Sequence, residues 1–281
     1  MRISSYAKIN LGLRILGKRP DGYHEIETIF QQISLKDELD IEPTDKGISL
    51  DCSPPVCPTD ETNLVFKAAR ELQKKIGRQT GTEIKIWKRI PVGGGLGGGS
   101  SNAAAALQGL NSLWDAGQSI EELIELGARI GSDVPFFLLG GAAIGSGRGE
   151  KLKPVKIFQN YWGVLVVPAF SISTKWAYEK SNFVLTKSLK KSNFSSFSEI
   201  SFDTEKWSGF LVNDLEEVVF NAYPELEKGI EKFYASGAFY SQMSGSGSSL
   251  FGLFSTEAQA RKAKSIFSEY RSFLFQPVSK R

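Results

Sequence analysis

The residues best suited to chemistry lie in Pro91-Val92-Gly93-Gly94-Gly95-Leu96-Gly97-Gly98-Gly99-Ser100-Ser101, which runs directly into Asn102-Ala103-Ala104-Ala105-Ala106-Leu107. Glycines carry no Cβ, so successive backbone amides can turn into one concavity and approach a ligand closely. The alanine-rich segment predicts a helix, whose first N–H groups are unpaired and whose dipole is positive at that end. Glycine bend and helix start together make a cradle for phosphate. A flexible linker is the plain alternative, but a linker does not ordinarily join a basic strand to an alanine-rich helix. The bend is not a Walker A loop, because it ends in Gly99-Ser100-Ser101 and not in Gly-Lys-Ser/Thr. It is also too dense in glycine for a dinucleotide fingerprint, and no acidic residue closes a following strand at the required distance.

A shorter element of the same kind is Met243-Ser244-Gly245-Ser246-Gly247-Ser248-Ser249, between two expected strands. Alone it reads as a hairpin turn; beside the first bend it reads as a second nest. Two charged residues stand out. Lys8 sits in an otherwise apolar strand, where a charge is costly unless paired or hydrated. Asp133 follows Gly131-Ser132 and opens the apolar run Val134-Pro135-Phe136. A carboxylate beside an ammonium stays ionised near neutrality and can accept a proton from an alcohol. An edge-strand lysine and a capping aspartate are the structural alternatives. Tyr6, Asn10, Tyr23, His24 and Thr174 have no assignable role from residue type alone.

The elements that must position these residues follow from periodicity. Ile3–Leu16 reads as strand and Gly17–Gly22 as a turn, with further strands expected at Ile26–Leu35 and Asp37–Pro43. Leu64, Ala68 and Leu72 share one helical face, and Thr82–Ile90 alternates as a strand leading into the glycine bend. Helices are expected from Asn102 to Trp114 and from Ser119 to Ile130, the latter with Ser119 as cap and Glu122 three residues on. Beyond a boundary at Lys151–Tyr161, the spacing predicts a strand over Trp162–Pro168 and a short helix or turn over Thr174–Lys180. It then predicts helices over Asn213–Phe220 and Glu225–Tyr234, strands over Tyr240–Met243 and Leu250–Ser255, and a final helix over Glu257–Tyr270. Residues 181–209 are rich in Ser, Lys and Phe with weak periodicity and read as an insertion or loop pair. The mixture is α+β, in two domains.

Composition excludes several classes. The 281 residues suffice for two modest domains, and the 41% hydrophobic content supports a real core. A formal charge of +3 with interspersed signs gives no nucleic-acid stripe and no basic membrane-binding block. No run approaches membrane-spanning length and the start has no apolar signal core, so a cytoplasmic protein is expected. Cys52 and Cys57, with a single histidine far upstream, make a poor zinc site and are expected to be surface thiols in a reducing compartment.

The motifs in their order resemble the GHMP small-molecule kinases. The resemblance is carried by Ala7-Lys8-Ile9-Asn10-Leu11-Gly12-Leu13, Asp21-Gly22-Tyr23-His24 and Pro91–Ala104. It continues through Gly131-Ser132-Asp133, Asn213-Asp214-Leu215-Glu216 and Met243–Gly247, and so spans nearly the whole chain. It implies a two-domain fold: an N-terminal domain like domain 2 of ribosomal protein S5 over residues 1–155, carrying the phosphate loop, and a C-terminal ferredoxin-like α/β sandwich over 156–281. It implies transfer of the ATP γ-phosphate to the 2-hydroxyl of a cytidine-diphosphate-linked methylerythritol, with Lys8 and Asp133 as catalytic pair. Asn63, Leu64, Lys88 and the Pro91–Ser101 bend (Val92, Gly93, Gly94, Gly95, Leu96, Gly97, Gly98, Gly99 and Ser100 within it) are implied on the ATP side. His24, with Tyr23 and Tyr178 as aromatic faces, is implied at the cytosine. Tyr6, Asn10, Thr174 and the loop residues Gly245, Ser246 and Gly247 complete the substrate side. Tyr178 stands where Phe is expected, which preserves a ring. Relatives hold magnesium with a mid-chain glutamate that has no counterpart here, so Mg2+ is expected mainly on the nucleotide phosphates and no protein metal ligand is assigned. A mevalonate-, homoserine- or sugar-type kinase leaves Asp21-Gly22-Tyr23-His24 unexplained, and a non-catalytic nucleotide-binding module has no need of the Lys8–Asp133 pair. The partner expected is the small-molecule substrate alone, with no obligate protein partner.

Overall fold

The computed structural model of the chain describes residues 1–181, 194, 197 and 203–279. The chain divides into two compact units, neither continuous in sequence. The first comprises Met1–Ala7, Leu35–Val92 and Gly97–Gly140; the second comprises Lys8–Ser34, Gly93–Leu96 and Gly141–Arg281. Two long strands, β1 (Arg2–Lys18) and β2 (His24–Thr44), contribute residues to both. β2 runs unbroken for 21 residues where two separate strands were expected, because Leu35 and Lys36 stay extended between the two apolar stretches.

In the first unit β4 (Gly81–Trp87) lies between β2 and β3 (Ile48–Ser53). It is antiparallel to β2, with Leu39 opposite Ile86, and parallel to β3, with Leu50 opposite Ile84. Its alternation works as expected: Thr82, Ile84 and Ile86 are buried while Glu83 and Trp87 are exposed. Four helices pack with one another: α1 (Leu64–Ile76), α2 (Gly98–Leu113), α3 (Ile120–Ile130) and α4 (Val134–Leu139). α1 buries Val65, Ala68, Ala69 and Leu72 at helical spacing. α2 is buried nearly all round, which small alanines permit between closely packed neighbours. Ser119 caps α3 by accepting from the Glu122 N–H, and Glu122 answers by accepting from the Ser119 N–H. Pro135 falls in the first turn of α4, where its missing N–H breaks no helical bond. Cys52 and Cys57, expected as thiols, are joined in a disulfide.

In the second unit the first half of β2 pairs antiparallel with β5 (Ala142–Gly147), which pairs with β6 (Lys151–Pro154). A separate antiparallel sheet has the order β10-β7-β9-β8, formed by β7 (Trp162–Val167), β8 (Tyr240–Met243), β9 (Leu250–Phe254) and β10 (Arg271–Phe275). Helices follow as α5 (Thr174–Ser181), α6 (Trp207–Phe210), α7 (Glu216–Ala222), α8 (Pro224–Ala235) and α9 (Glu257–Ile266). α8 and α9 pack on this sheet. Their contact surface is a core of Val164, Val166, Leu226, Phe233, Phe254 and Phe267, with the Phe233 and Phe267 rings 4.3 Å apart. Full burial of each such side chain stabilises the unit by about 1.5–3 kcal/mol. The loop pair expected over 181–209 falls largely on 182–193, 195–196 and 198–202, outside the described residues. Among the described residues no helix is long and apolar enough to cross a membrane.

Candidate active site

The predicted site residues distribute over both units. The first holds Tyr6, Asn63, Leu64, Lys88, Pro91, Val92, Gly97, Gly98, Gly99, Ser100, Ser101 and Asp133, the second the remainder.

Within the first unit, Tyr6, Leu64 and Lys88 lie against the N-terminal turn of α2. Gly97 takes a left-handed conformation at the N-cap and no side chain caps this helix, which leaves its first amides to a ligand. Ser101 is buried and its hydroxyl is committed: it donates to the Tyr6 carbonyl and accepts from Ser5. Ser100, half-buried, is the loop serine with no such internal role. Leu64 lies beside this helix start, with its Cδ1 3.8 Å from where a side chain on Gly99 or Gly131 would begin. Asn63 is a helix cap: it accepts from the Val65 N–H at 2.9 Å and donates to the Pro58 carbonyl. Asp133 occupies the N-cap position of α4, yet its side chain makes no capping hydrogen bond. Val92 is 59% exposed.

Lys88 is buried, and its ammonium is ion-paired with Asp37. Sequence reasoning missed Asp37. Its Oδ1 also accepts from the Arg89 and Ile90 N–H groups at 2.7 Å each, and its Oδ2 from Asn102 at 2.9 Å. One carboxylate therefore ties the strand that enters the glycine bend to the helix that leaves it.

Within the second unit, Gly93–Leu96 packs backbone-to-backbone against the Met243–Ser249 loop. A Cβ on Gly95, at φ +75°, would collide with the Ser244 carbonyl oxygen. Lys8 stands at this junction. Its Nζ donates to the Gly95 carbonyl at 2.9 Å and to Asn10 Oδ1 at 2.5 Å, and lies 5.6 Å from the Phe30 ring centre. Asn10 donates onward to Thr28, whose hydroxyl donates to the Gly12 carbonyl. Ser244 Oγ accepts from the Asn10 N–H and donates to the Gly95 carbonyl. A side chain on Gly245 would begin 3.0 Å from Asn10 Oδ1 and 3.7 Å from Lys8 Nζ, so only bare backbone fits there. The Thr174 and Ser246 hydroxyls are 2.9 Å apart. His24 is buried and stacked on Tyr178, ring centres 5.2 Å apart, while Tyr23 is exposed with the Arg148 guanidinium over its ring.

The tetrad Asn213-Asp214-Leu215-Glu216, recognised in the sequence without a role, lies under the second loop. Asn213 Nδ2 donates to the Met243 and Gly245 carbonyls at 3.0 and 2.8 Å. Glu216 Oε1 accepts from the Met243 N–H at 2.8 Å. Burial pushes the Glu216 carboxyl up to about 7, opposed by that N–H. Burial likewise raises Asp214, opposed by the Ile15 N–H and the Arg14 guanidinium. Ser249 Oγ is buried without a hydrogen-bond partner, where a side chain on Gly94 would meet it.

A glycine-serine bend at a helix start, a second glycine-serine loop and a buried lysine in the first strand are the features that carry the resemblance to small-molecule kinases. The chain belongs to the GHMP kinase family: residues 63–141 match the GHMP kinases N terminal domain and residues 185–271 the GHMP kinases C terminal. Within that family it is 41% identical over 266 residues to the 4-diphosphocytidyl-2-C-methyl-D-erythritol kinase of Syntrophus aciditrophicus, covering 95% of this chain and 94% of that one. It is 40% identical over 283 residues to the kinase of the same name from Geobacter sp. strain M21, covering 99% and 98%. A crystal structure of 4-(cytidine 5'-diphospho)-2C-methyl-D-erythritol kinase superposes with a TM-score of 0.86 at 33% identity over both full chains. A mevalonate kinase shares the fold at 14% identity with a TM-score of 0.74 over both full chains.

Proposed function

We propose that the chain phosphorylates the 2-hydroxyl of 4-diphosphocytidyl-2-C-methyl-D-erythritol with ATP, releasing ADP, in non-mevalonate isoprenoid precursor synthesis. The observation that carries this reading is the junction of the two glycine loops on Lys8, in a chain about 40% identical throughout to kinases of that name. The bare amides of the Gly93–Ser101 bend and the start of α2 would hold the ATP phosphates, where fixed N–H dipoles offset charge without reorganising. Asp133 would orient the acceptor hydroxyl and take its proton. Lys8 would offset charge building on the transferred group. His24 stacked on Tyr178 suits a pyrimidine: an imidazole offers a donor and an acceptor, and cytosine carries an amine beside a carbonyl.

A side chain at Gly94 or Gly95 would collide with Ser249 Oγ or the Ser244 carbonyl, so glycine there lets the two loops pack together and leaves bare backbone to face a triphosphate. Magnesium neutralises phosphoryl oxygens in such transfers. Among the described residues no group of three or more His, Cys, Asp or Glu could hold a metal ion. The ion would enter on the nucleotide phosphates, with the Ser100 or Ser101 hydroxyl beside it. We assign the functional division to residues 1–155 and 156–281, a cytoplasmic location, and action on a small molecule without an obligate protein partner.

The test is ADP release against a panel of acceptors: the cytidine-linked methylerythritol, mevalonate and homoserine. The cytidine-linked compound is expected to exceed the others by at least 100-fold in kcat/KM, and equal or better turnover of another acceptor overturns the reading. Asp133→Ala is expected to retain ATP binding and lose at least 100-fold in kcat; near-normal turnover removes Asp133 from its role.

A further inference from the structure

The loop that meets Lys8 is not held by its own sequence. Met243–Gly247 is short and rich in glycine, and its internal backbone bonds are Ser244 N–H to the Ser249 carbonyl and Gly247 N–H to the Ser244 carbonyl. Ser244 Oγ also donates to the Gly95 carbonyl and accepts from the Asn10 N–H, and Ser246 meets Thr174, while the loop backbone at Met243 and Gly245 is held by one tetrad about thirty residues upstream. Asn213 is 4% exposed, and its amide gives both N–H groups to the Met243 and Gly245 carbonyls while its Oδ1 accepts from the Leu215 N–H. Such a buried amide is costly unless satisfied, and here three of its four hydrogen-bonding capacities are used.

The same tetrad is fixed to the strand that carries Lys8. The Leu13 N–H donates to the Val212 carbonyl, the Asp214 N–H donates to the Leu13 carbonyl, and the Ile15 N–H donates to the Asp214 carboxylate. Leu13 and Asn213 form an isolated parallel β-bridge. β1 and the loop thus share one rigid intermediary. Carbonyl and N–H point oppositely across a trans peptide. Drawing the Gly245 carbonyl toward Asn213 therefore turns the Ser246 N–H to the opposite side.

We propose that Asn213 is a positioning residue for phosphoryl transfer: it fixes the Met243–Gly247 loop in register with Lys8 by holding two loop carbonyls while its own segment is bonded to β1, with Glu216 as the second anchor through the Met243 N–H. The proposal rests on the kinase reading above, and it gives a role to a side chain whose hydrogen bonds run to protein backbone. In-line transfer loses rate steeply when donor and acceptor shift by about 1 Å, so the loss falls on kcat.

The experiment compares Asn213→Asp, Glu216→Ala and Glu216→Gln with a core variant of the same unit, Leu226→Ala, which removes core packing but no hydrogen bond to the loop. Asn213→Asp keeps shape but faces two carbonyls with acceptors only. It is expected to lose at least tenfold in kcat with KM for ATP and acceptor within threefold. Amide exchange over residues 243–249 should accelerate by at least tenfold. Glu216→Gln can still accept from Met243 and should stay within threefold of the wild-type kcat, whereas Glu216→Ala should fall at least fivefold. Leu226→Ala should lose stability and keep kcat. A folded Asn213→Asp protein with kcat no lower than that of Leu226→Ala overturns the proposal, as does unchanged exchange over the loop. Should Asn213→Asp not fold, equal kcat for Glu216→Ala and Glu216→Gln overturns it. If the wild type prefers another acceptor, the kinase reading fails separately, and the same kcat ratios on that acceptor decide the proposal.

Discussion

Two polar brackets support glycine-rich backbone in this molecule, one in each unit, and they are built on opposite principles. In the first unit Asp37 draws together the Lys88 ammonium, two backbone N–H groups at Arg89 and Ile90, and the Asn102 amide. The carboxylate accepts and everything around it donates. In the second unit Asn213 donates to two carbonyls, and the acid, Glu216, accepts a single N–H. The first bracket is an ion pair whose side chains are 4% and 0% exposed. The second is mostly neutral and includes a carboxyl raised to about 7 by burial. A buried ion pair holds firmly while both partners remain, and becomes a liability when one is lost. A neutral amide bracket is weaker, and its loss leaves unmet carbonyls at a cost of about 1–3 kcal/mol each and not a buried charge.

The sharpest way to break this contrast is Asp37→Ala. It removes the carboxylate that pairs with the buried Lys88 ammonium and accepts from Arg89, Ile90 and Asn102. The expected destabilisation is about 3–5 kcal/mol, read as a drop in the urea midpoint at unchanged slope. Combining Asp37→Leu with Lys88→Met removes both charges and should recover most of that loss. If Asp37→Ala costs no more than about 1 kcal/mol, an exposed-pair value, the charge-paired description of this bracket is wrong.

The second bracket is separable by pH. The Glu216 carboxyl binds its proton more tightly in the folded chain than the ordinary carboxylate does. A raised carboxyl favours the folded state fully below its unfolded value, near 4.5, and that contribution is lost as pH rises toward about 7. Glu216→Gln should flatten the fall in stability across that window, by roughly 1–3 kcal/mol between its ends. Tyr234 and Tyr240 face the same carboxylate and titrate well above this range, so they leave the window clear. Denaturation at pH 4.5, 6 and 7.5 checks it, and an unchanged slope in the variant shows that Glu216 is not the group concerned.

The contrast also shows what sequence carries and what it does not. The glycine bend, the Ser119–Glu122 capping box and the alternation of β4 were legible because each is written within ten residues. Lys8 was legible as an anomaly, a charge among apolar neighbours. Asp37 was not, because its partners lie 51 to 65 residues away and nothing local distinguishes it from a surface aspartate. β5, Ala142–Gly147, has no alternating pattern; its strand character comes from antiparallel pairing with β2 and β6. β10 lies beyond the expected last helix, Glu257–Tyr270, and was not anticipated; its identity comes from pairing with β7. The Cys52–Cys57 pairing was missed because composition argued for a reducing compartment, whereas the fold brings the two together across a tight turn. Asn213 and Glu216 were visible as residues, but their roles require β1 and the Met243 loop to be in place.

The smallest expected effect bears on the loops themselves. Ser249 Oγ is buried with no partner, at the position where a side chain on Gly94 would stand. An unmet buried hydroxyl is a cost carried by the resting protein, so Ser249→Ala should leave stability unchanged or raise it by up to about 1 kcal/mol. Neither bracket behaves so, since each loses bonds when truncated. A hydroxyl retained against stability is explained if the Gly93–Leu96 bend shifts when phosphate enters and Ser249 then gains a partner. Ser249→Ala should in that case raise KM for ATP about threefold while KM for the acceptor stays constant. A variant that loses stability and keeps KM for ATP would make Ser249 an ordinary packing residue, and would leave the bend dependent on its amides alone.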